Sequence, residues 1–342
     1  MTTKADLKVD SYPTSNPSDQ RPAWAYIDGR VVPYGEVSFG LLTHALNYGT
    51  GVFAGLRAYW NESEGELFVF RPEDHFRRFR DSARLLRMEI EATPEDLTGG
   101  VIELLRAEGF SEDCYIRPLA FYGDERIGLR LHGLTPRIGI AAVPLGPLLA
   151  GERGVHATFS SWTRVSDNVI PPRGKIAGSY VNSALARTDA MLAGFDEALM
   201  LNTNGHLCEG SVENVFIARA GVVATPPATD DILEGITRAT VIHLLRQELG
   251  RTVVERPIDR TEVYLADEVF FCGTGAQIAA VTRVDHRTIG EGTIGPLCAT
   301  LLGLHADVVR GRNPRYRSWC RPVHGDGAAQ RLAPIAGRSN AG

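Results

Sequence analysis

The sequence predicts a mixed α/β protein of two domains. At 342 residues the chain is long enough for two domains, and its 44% apolar and 23% charged residues are typical of a globular protein. Strand and helix patterns alternate through the first half, and prolines and glycines interrupt both patterns near the middle. We therefore predict a mobile arm at 1–20, a smaller domain at 21–143, a linker at 144–154, a larger domain at 155–323 and a mobile tail at 324–342.

Turn and cap signals define the elements of the first half. "WAYIDGRVV" predicts a hairpin with Asp28-Gly29 as its two-residue turn. "EDHFRRFRDSARLLRM" predicts an amphipathic helix, because its apolar side chains recur at helical spacing. "TPEDLTGGVIELLRAEG" predicts a helix that begins after Thr93 as N-cap and stops at Gly109. "CYIRPLAFYG" and "RIGIAAVPLG" are predicted strands.

The second half carries more strands. "VHATFSSW" predicts a strand and "SYVNSALARTDAMLAG" a helix that ends at Gly194. A β-rich region follows, with turns at Asn204-Gly205 and Ala220-Gly221. "GITRATVIHLLRQELG" predicts a further helix, and "EVFFCGTGAQIAAVTRVD" predicts two strands joined by a glycine-rich turn.

Bulk properties exclude several classes of protein. A net charge of -5 without any basic run argues against a nucleic-acid surface, and no apolar stretch approaches the ~20 residues of a membrane span. The five cysteines show no C-x-x-C spacing, which argues against a disulfide framework and against a zinc or other metal site. Without an apolar signal sequence at the N-terminus, we expect a cytoplasmic protein.

Lys175 stands apart in composition. Only three of the 36 basic residues are lysines, and the other two, Lys4 and Lys8, lie at the N-terminus. An unprotonated lysine amine forms a Schiff base with an aldehyde, which a permanently charged guanidinium cannot do. Lys175 lies among small and apolar residues in "PPRGKIAGSY", where burial favours the neutral amine. We therefore interpret Lys175 as a nucleophile and predict a pyridoxal phosphate enzyme.

Such an enzyme needs a carboxylate for the ring nitrogen and a cradle for the phosphate. "HLCEGSVENVF" offers Glu209 and Glu213 on one predicted strand, where residues four apart share a face, so spacing alone leaves the choice open. A helix that begins near Ile236, with the Thr237 hydroxyl beside it, offers N–H groups to an anion. The turn "CGTGAQ" offers a second set of donors for a phosphate or a carboxylate.

Together these motifs resemble the class IV pyridoxal phosphate aminotransferases, most closely the branched-chain amino acid aminotransferases. The resemblance runs from Trp24 to Val323 and rests on ordered blocks that include "HALNYGTGVFAGLRAY", "RPEDHFRRFRDSARLLRM", "YIRPLAFYGDERIGL" and "ILEGITRATVI". It implies a two-domain fold of type IV, with a smaller N-terminal α/β domain and a larger, β-barrel-like C-terminal domain with helices. It also implies at least a homodimer, with a partner loop helping to close the site.

The resemblance also assigns roles by position. It makes Lys175 the catalytic Schiff-base lysine and Glu209, rather than Glu213, the partner of the pyridine nitrogen. Tyr180 resembles the tyrosine that hydrogen-bonds the 3-oxygen, and Leu233 the residue that packs on the ring. The phosphate contacts that it implies are Arg78, Ile236, Thr237 and Thr274.

The substrate side follows the branched-chain enzymes. The residues that the resemblance assigns to substrate binding are Tyr48, Phe53, Arg57, Tyr115, Arg117, Thr274 and Gly275. In that family, aromatic side chains line an apolar pocket and the strand arginine accepts the distal carboxylate of glutamate. The implied reaction is transamination of L-leucine, L-isoleucine and L-valine with 2-oxoglutarate by a ping-pong mechanism.

Four residues depart from the family pattern: Leu145, Leu148, Val212 and Gly275. The first two occupy a linker where aromatic residues are frequent. Gly275 lies in the predicted carboxylate turn, where many members have "GTA" in place of "GTG", and Val212 stands where glycine is frequent. They leave the alternative of an amine or D-amino acid transaminase, or of an enzyme similar to aminodeoxychorismate lyase.

Overall fold

The computed structural model describes residues 21–146, 149 and 153–325. The predicted arm at 1–20, Leu148 and most of the predicted tail lie outside the described residues. Within them, the strands form one sheet of eight and one sheet of nine strands.

The first sheet consists mainly of residues from the N-terminal half. Its strands are β1 (Trp24–Ile27), β2 (Arg30–Pro33), β3 (Gly51–Phe53), β4 (Leu56–Asn61), β5 (Glu66–Phe70), β6 (Cys114–Tyr122) and β7 (Pro136–Pro144). The order along the sheet is β5-β4-β6-β7-β1-β2, and β3 pairs with β6. The predicted hairpin is confirmed: Asp28 and Gly29 have φ of 46° and 96°, the left-handed pair that a tight two-residue turn requires.

The second sheet mixes parallel and antiparallel pairs and curls into a half-barrel. Its strands are β8 (Val155–Phe159), β9 (Glu197–Leu201), β10 (Leu207–Gly210), β11 (Asn214–Arg219), β12 (Val222–Thr225), β13 (Val253–Glu255), β14 (Glu268–Gly273), β15 (Gln277–Val284) and β16 (Arg287–Thr288). The order is β10-β9-β8-β15-β14-β11-β12-β13, and β16 pairs with β15. The parallel pairs are β8 with β9, β8 with β15, and β12 with β13.

Helices pack on both sheets. They are α1 (His44–Tyr48), α2 (Pro72–Leu85), α3 (Pro94–Glu108), α4 (Tyr180–Leu192), α5 (Ile236–Gln247), α6 (Arg260–Tyr264) and α7 (Pro296–Val309). The predicted ends of α3 are confirmed, since Thr93 and Asp96 form a reciprocal capping box and Gly109 closes the helix at φ 71°. The predicted apolar face of α2 is buried at Phe76, Phe79 and Ala83.

The chain changes sheets between β7 and β8, inside the predicted linker at 144–154. It later returns, because β17 (Cys320–Pro322) pairs with β5 at the edge of the first sheet. One buried cluster also joins Phe68 of β5, Phe270 of β14 and Leu301 of α7. The two halves therefore share buried apolar contacts, and the domain boundaries drawn from the sequence stay predictions.

Candidate functional site

The backbone of Lys175 lies where the two halves meet. Its carbonyl accepts a hydrogen bond from the Phe53 N–H of β3 at 2.9 Å, and its N–H donates to the Ser82 hydroxyl of α2 at 3.0 Å. Ile176 forms a β-bridge with Val52. The loop between β8 and α4 is thus fixed to the first sheet at the residue that carries the amine.

The Lys175 amine is buried beside two aromatic rings. Its Nζ lies 2.5 Å from the Tyr180 hydroxyl, and 5.0 Å and 4.9 Å from the ring centres of Phe53 and Tyr180. Burial, and then the charge of Arg78, lowers the pKa of this amine to about 7, although Glu209 opposes the shift. A large fraction of the amine is therefore unprotonated at neutral pH.

Glu209 is held by three donors at the end of β10. Its Oε1 pairs with Arg164 at 2.7 Å, and its Oε2 accepts hydrogen bonds from Asn214 Nδ2 at 3.0 Å and from the Leu233 N–H at 3.2 Å. Burial raises the pKa of this carboxyl, while Arg164 and the Leu233 N–H act in the opposite direction. The three bonds fix the orientation of the carboxyl.

Glu213 lies in a different environment. The prediction that both glutamates could share one strand is wrong, because β10 ends at Gly210 and Glu213 lies in the bend before β11. Its carboxyl faces Glu197 and Arg187, and burial raises its pKa well above the usual range. The structure therefore distinguishes the surroundings of the two glutamates, which their spacing in the sequence could not do.

Helix α5 presents free N–H groups next to an arginine. Its N-cap is Gly235, and no side chain caps it. A Cβ at Gly235 would lie 2.1 Å from Asn214 Oδ1. Only glycine therefore lets the start of α5 lie against Asn214, which donates to Glu209. Arg78 donates to the Glu234 carbonyl at 3.2 Å, just before Ile236 and the buried Thr237. The predicted helix start and Arg78 are thus brought together.

A second arginine also lies against the Phe53 ring. The Arg117 guanidinium lies 4.7 Å from the Phe53 ring centre, and its Nη2 donates to the Tyr115 hydroxyl at 3.0 Å. Tyr115 in turn covers Gly55, since a Cβ there would lie 2.1 Å from the tyrosine oxygen. Arg117 itself is exposed. Phe53, Tyr115 and Arg117 form one wall beside the Lys175 amine.

Tyr48 and Arg57 contact other parts of the chain. The Tyr48 hydroxyl accepts a hydrogen bond from the Gly128 N–H at 3.2 Å. Arg57 is 1% exposed, and its guanidinium donates to the carbonyls of Leu145 and Gly146 at the start of the linker. The contacts described for these two side chains do not include Lys175, so their predicted substrate contacts stay predictions.

Thr274 and Gly275 lie in the tight turn between β14 and β15. This turn packs on the bend that contains Glu213, since a Cβ at Gly273 would lie 3.6 Å from Glu213 Cγ and 3.7 Å from the Val212 carbonyl. Of the four departures from the family pattern, Leu145 is buried and Val212 is exposed. Gly275 thus lies in this turn, and Val212 lies in the bend that packs against it.

Sequence reasoning missed the residues that hold Glu209 and Lys175 in place: Arg164, Ser82 and Asn214. Arg164 is 5% exposed and also donates to the Ser183 hydroxyl of α4 at 3.1 Å. Its partners are tens of residues away or on another element, so no local pattern marks it. Asn214 directly follows Glu213, yet its amide reaches Glu209 and the Leu233 carbonyl instead.

The charges of the site suit an anionic cofactor. Arg78, Arg117 and Arg164 all lie close enough to lower the pKa of Lys175, and Glu209 is the carboxylate that opposes them. The uncapped start of α5 adds further positive potential. An aldehyde-bearing pyridine with a phosphate group, such as pyridoxal phosphate, fits this set of one amine, one carboxylate and several anion-binding groups.

The described part of the chain offers neither a metal centre nor a membrane span. Among the described residues, no group of three or more His, Cys, Asp or Glu side chains is arranged to hold a metal ion. No helix within the described ranges is long and apolar enough to cross a membrane.

Comparison with known proteins identifies the family. The profile of "Amino-transferase class IV" matches residues 51–284. A protein named "Probable branched-chain-amino-acid aminotransferase", from Aquifex aeolicus, is 44% identical over 88% of this chain and 97% of its own length.

Solved structures agree with this match. The branched-chain aminotransferase of Thermoproteus uzoniensis, solved with norvaline, superposes with a TM-score of 0.84 at 42% identity, covering 88% of this chain and 99% of that one. The branched-chain amino acid aminotransferase of Thermobaculum terrenum, solved in its PLP (pyridoxal phosphate) form, gives a TM-score of 0.85 at 41% identity, covering 89% and 99%. The predicted type IV fold is confirmed, and the chain belongs to the class IV aminotransferases.

Proposed function

We propose that this protein transfers amino groups from L-branched-chain amino acids to 2-oxoglutarate, with pyridoxal 5'-phosphate as its cofactor and by a ping-pong mechanism. The buried, partly unprotonated amine of Lys175, in contact with Tyr180, carries the proposal. The relatives named as branched-chain aminotransferases and the norvaline complex of one of them support the substrate class. The PLP form of the Thermobaculum terrenum enzyme supports the cofactor.

Lys175 supplies the amine and moves the proton. When bound, the cofactor supplies an aldehyde that condenses with amines and a ring that accepts electrons from the substrate α-carbon. The unprotonated Nζ would hold that aldehyde in the resting enzyme and, once displaced by the amine of the substrate, would act as a general base and acid beside the α-carbon. A pKa near 7 lets one nitrogen accept and return a proton at neutral pH.

Glu209 and Tyr180 hold the two polar edges of the ring in this proposal. Glu209 is fixed by Arg164, Asn214 and the Leu233 N–H, and carboxylate oxygens keep lone pairs for a further donor. It therefore accepts a hydrogen bond from a protonated ring nitrogen. Tyr180 would donate to the 3-oxygen, and Leu233 would pack on the ring face.

Two groups of donors bind anions. Arg78, Thr237 and the N–H groups at Ile236 and Thr237 hold the phosphate, because the uncapped start of α5 faces the same corner as Arg78. The hydroxyl of Thr274 and the N–H of Gly275 donate to the phosphate and to the α-carboxylate of the amino acid.

The wall of Phe53, Tyr115 and Arg117 accounts for two kinds of substrate. The aromatic rings offer apolar surface to a branched aliphatic side chain. The exposed Arg117 guanidinium, held by Tyr115, offers a bidentate partner to the distal carboxylate of glutamate or 2-oxoglutarate.

The protein forms a homodimer in this proposal. Large apolar side chains are exposed on an apolar face, which consists of Phe39, Leu41, Leu42, Leu46, Ile127, Leu129, Val181 and Leu185. Its segments are adjacent, because Arg126 N–H donates to the Leu42 carbonyl and Gly178 N–H to the Gly49 carbonyl. Leu41 is 85% and Ile127 81% exposed. Exposure of so many apolar side chains to water is unfavourable, so we propose that a second copy of the chain covers this face.

We also propose that the protein is cytoplasmic, on the basis of its thiols. All five cysteines are described, buried and unpaired, which favours a reducing cytoplasm.

The proposed reaction is tested with a substrate panel. We expect L-leucine, L-isoleucine and L-valine with 2-oxoglutarate to yield glutamate, and D-alanine and a simple amine to yield far less. Lys175→Ala and Lys175→Arg should both lose turnover and covalent cofactor attachment, measured by mass spectrometry after borohydride reduction. Lys8→Ala is the matched control. Turnover in either Lys175 variant, or a preference for the D-enantiomer, would contradict the proposal.

The acidity of Lys175 predicts a pH dependence. Because its pKa lies near 7, the reactive free amine should be present above that pH and lost below it. In cofactor-stripped protein, acetylation of Lys175 should rise with a midpoint near pH 7, whereas an ordinary lysine has a pKa of about 10.4. Peptide mass spectrometry compares Lys175 with Lys4 and Lys8 in one sample, and identical pH profiles for all three would sink the assignment.

Arg117→Met should separate the two substrate types. Loss of a hydrogen-bonded charge pair is worth about 1.5–3 kcal/mol, so KM for 2-oxoglutarate should rise roughly 10- to 100-fold. The value of kcat/KM for leucine should change much less, because its side chain carries no charge. Arg219→Met, at an exposed strand end, serves as control. Equal losses for both substrates would show that Arg117 does not read the distal carboxylate.

The apolar face predicts the assembly state. Leu46→Asp and Ile127→Asp should convert a dimer into monomers in light scattering, because each places a charge in the buried interface. Leu265→Asp, at a position of similar exposure outside the apolar face, should leave the dimer intact. A monomeric wild-type protein would refute the assignment.

A further inference from the structure

Two buried carboxyl side chains meet a half-buried arginine next to the segment that carries Glu209. Glu197 of β9 is 0% exposed and Glu213 is 3% exposed, and both face Arg187 of α4. Arg187 Nη1 lies 3.1 Å from Glu197 Oε2 and 3.8 Å from Glu213 Oε1. Because both carboxyls contact the same nitrogen atom of Arg187, the two glutamates are close neighbours. We call these residues the carboxyl cluster.

The cluster contains two acids and one cation. If both acids were ionised, two like charges in contact would share a single arginine inside the protein, which is strongly unfavourable. Arg187 is closer to Glu197, so Glu197 carries the negative charge. Glu213 Oε2 accepts a hydrogen bond from the Val212 N–H at 3.3 Å, which leaves Oε1 as the hydroxyl atom.

The groups around Glu213 act on its pKa in both directions, and those that raise it are the stronger. Burial, and then the charge of Glu197, raises the pKa of Glu213, and Arg187 opposes the shift. Burial raises the pKa of the Cys272 thiol on the adjacent β14, and Glu213 and Glu209 raise it further, so this neighbour brings no positive charge to the cluster. Arg187 is thus the cation that faces two carboxyls in this cluster.

Glu213 packs against the parts of the chain that carry the site. Its carbonyl accepts from the Gly210 N–H at 2.6 Å, one residue after Glu209. Its Oε2 would lie 2.8 Å from a Cβ at Gly210, and its Cγ 3.6 Å from one at Gly273. Arg187 adds a connection to α4, which begins at Tyr180. The cluster therefore links the elements that carry Glu209, Tyr180 and Thr274.

We propose that Glu213 is a positioning residue whose protonated carboxyl donates a hydrogen bond to the Glu197 carboxylate, and that this shared proton fixes the Glu213 side chain where it packs against Gly273, next to the turn that contains Thr274 and Gly275. The effect on catalysis rests on the proposed function, in which that turn binds the α-carboxylate of the amino acid. Glu213 does not touch the reacting atoms and acts through the turn.

The test compares two variants of the holoenzyme. Glu213→Gln keeps an N–H donor for Glu197 and an oxygen acceptor for Val212, whereas Glu213→Leu has similar bulk and neither. We expect Glu213→Gln to stay within about twofold of wild type in KM for leucine, and Glu213→Leu to raise it about tenfold with a smaller change in kcat. If Gln is as damaging as Leu, Glu213 acts as an ionised partner of Arg187 and the proposal is wrong.

Two further readouts do not depend on turnover. Infrared difference spectroscopy should show a carboxylic-acid C=O band at neutral pH that Glu213→Gln removes. A raised folded-state pKa gives stability that is full below the unfolded value of about 4.3 and declines as pH rises through the folded value. The unfolding temperature of Glu213→Gln relative to wild type should therefore increase as pH rises from about 4.3 to the folded pKa of Glu213, and then level off.

These readouts keep the proposal testable if Glu213→Leu fails to fold. An absent acid band, or a wild type that gains stability over Glu213→Gln as pH rises, would overturn the shared proton. Absence of amino transfer by the wild type would instead refute the proposed function and leave the infrared and melting results readable.

Discussion

The hydrogen bond from the Phe53 N–H to the Lys175 carbonyl joins the two halves of the molecule at the residue that we propose as the Schiff-base lysine. Together with the bond to Ser82, it fixes the Lys175 backbone from both sides. The amine then has few directions available and lies between Phe53 and Tyr180. Because β3 and α2 belong to the first half and α4 to the second, any relative shift of the halves would move the amine.

Burial of that amine next to arginines has an electrostatic consequence. Arg78, Arg117 and Arg164 raise the cost of a fourth positive charge, so Lys175 gives up its proton more readily than an exposed lysine. Glu209 balances only part of this charge. The site therefore favours anionic ligands, and the phosphate and carboxylates of the proposed reaction supply the missing negative charge. Burial is the largest cause of the lowered pKa, and the arginines that lower it further are also the groups that attract anions.

The sequence was most informative where structure is local. The hairpin at Asp28-Gly29 and the capped helix α3 depend on residues within a few positions, and both were predicted. Lys175 could be singled out because it is compositionally isolated. The sequence could not show that Arg57 donates hydrogen bonds to carbonyls of the linker, or that β17 pairs with the first sheet. Both contacts depend on partners far along the chain. Arg164 was missed for the same reason.

The two glutamates of "CEGSVEN" show how strongly surroundings decide the role of a residue. They have the same side chain, lie four positions apart and are both nearly fully buried. Glu209 meets an arginine at 2.7 Å and two N–H donors, which stabilise a negative charge. Glu213 meets another carboxyl that already holds the nearer arginine contact, which stabilises a proton. The end of β10 at Gly210 produces this difference, because the bend turns Glu213 away from Arg164 and toward β9. One short segment thereby carries two acids in opposite electrostatic surroundings.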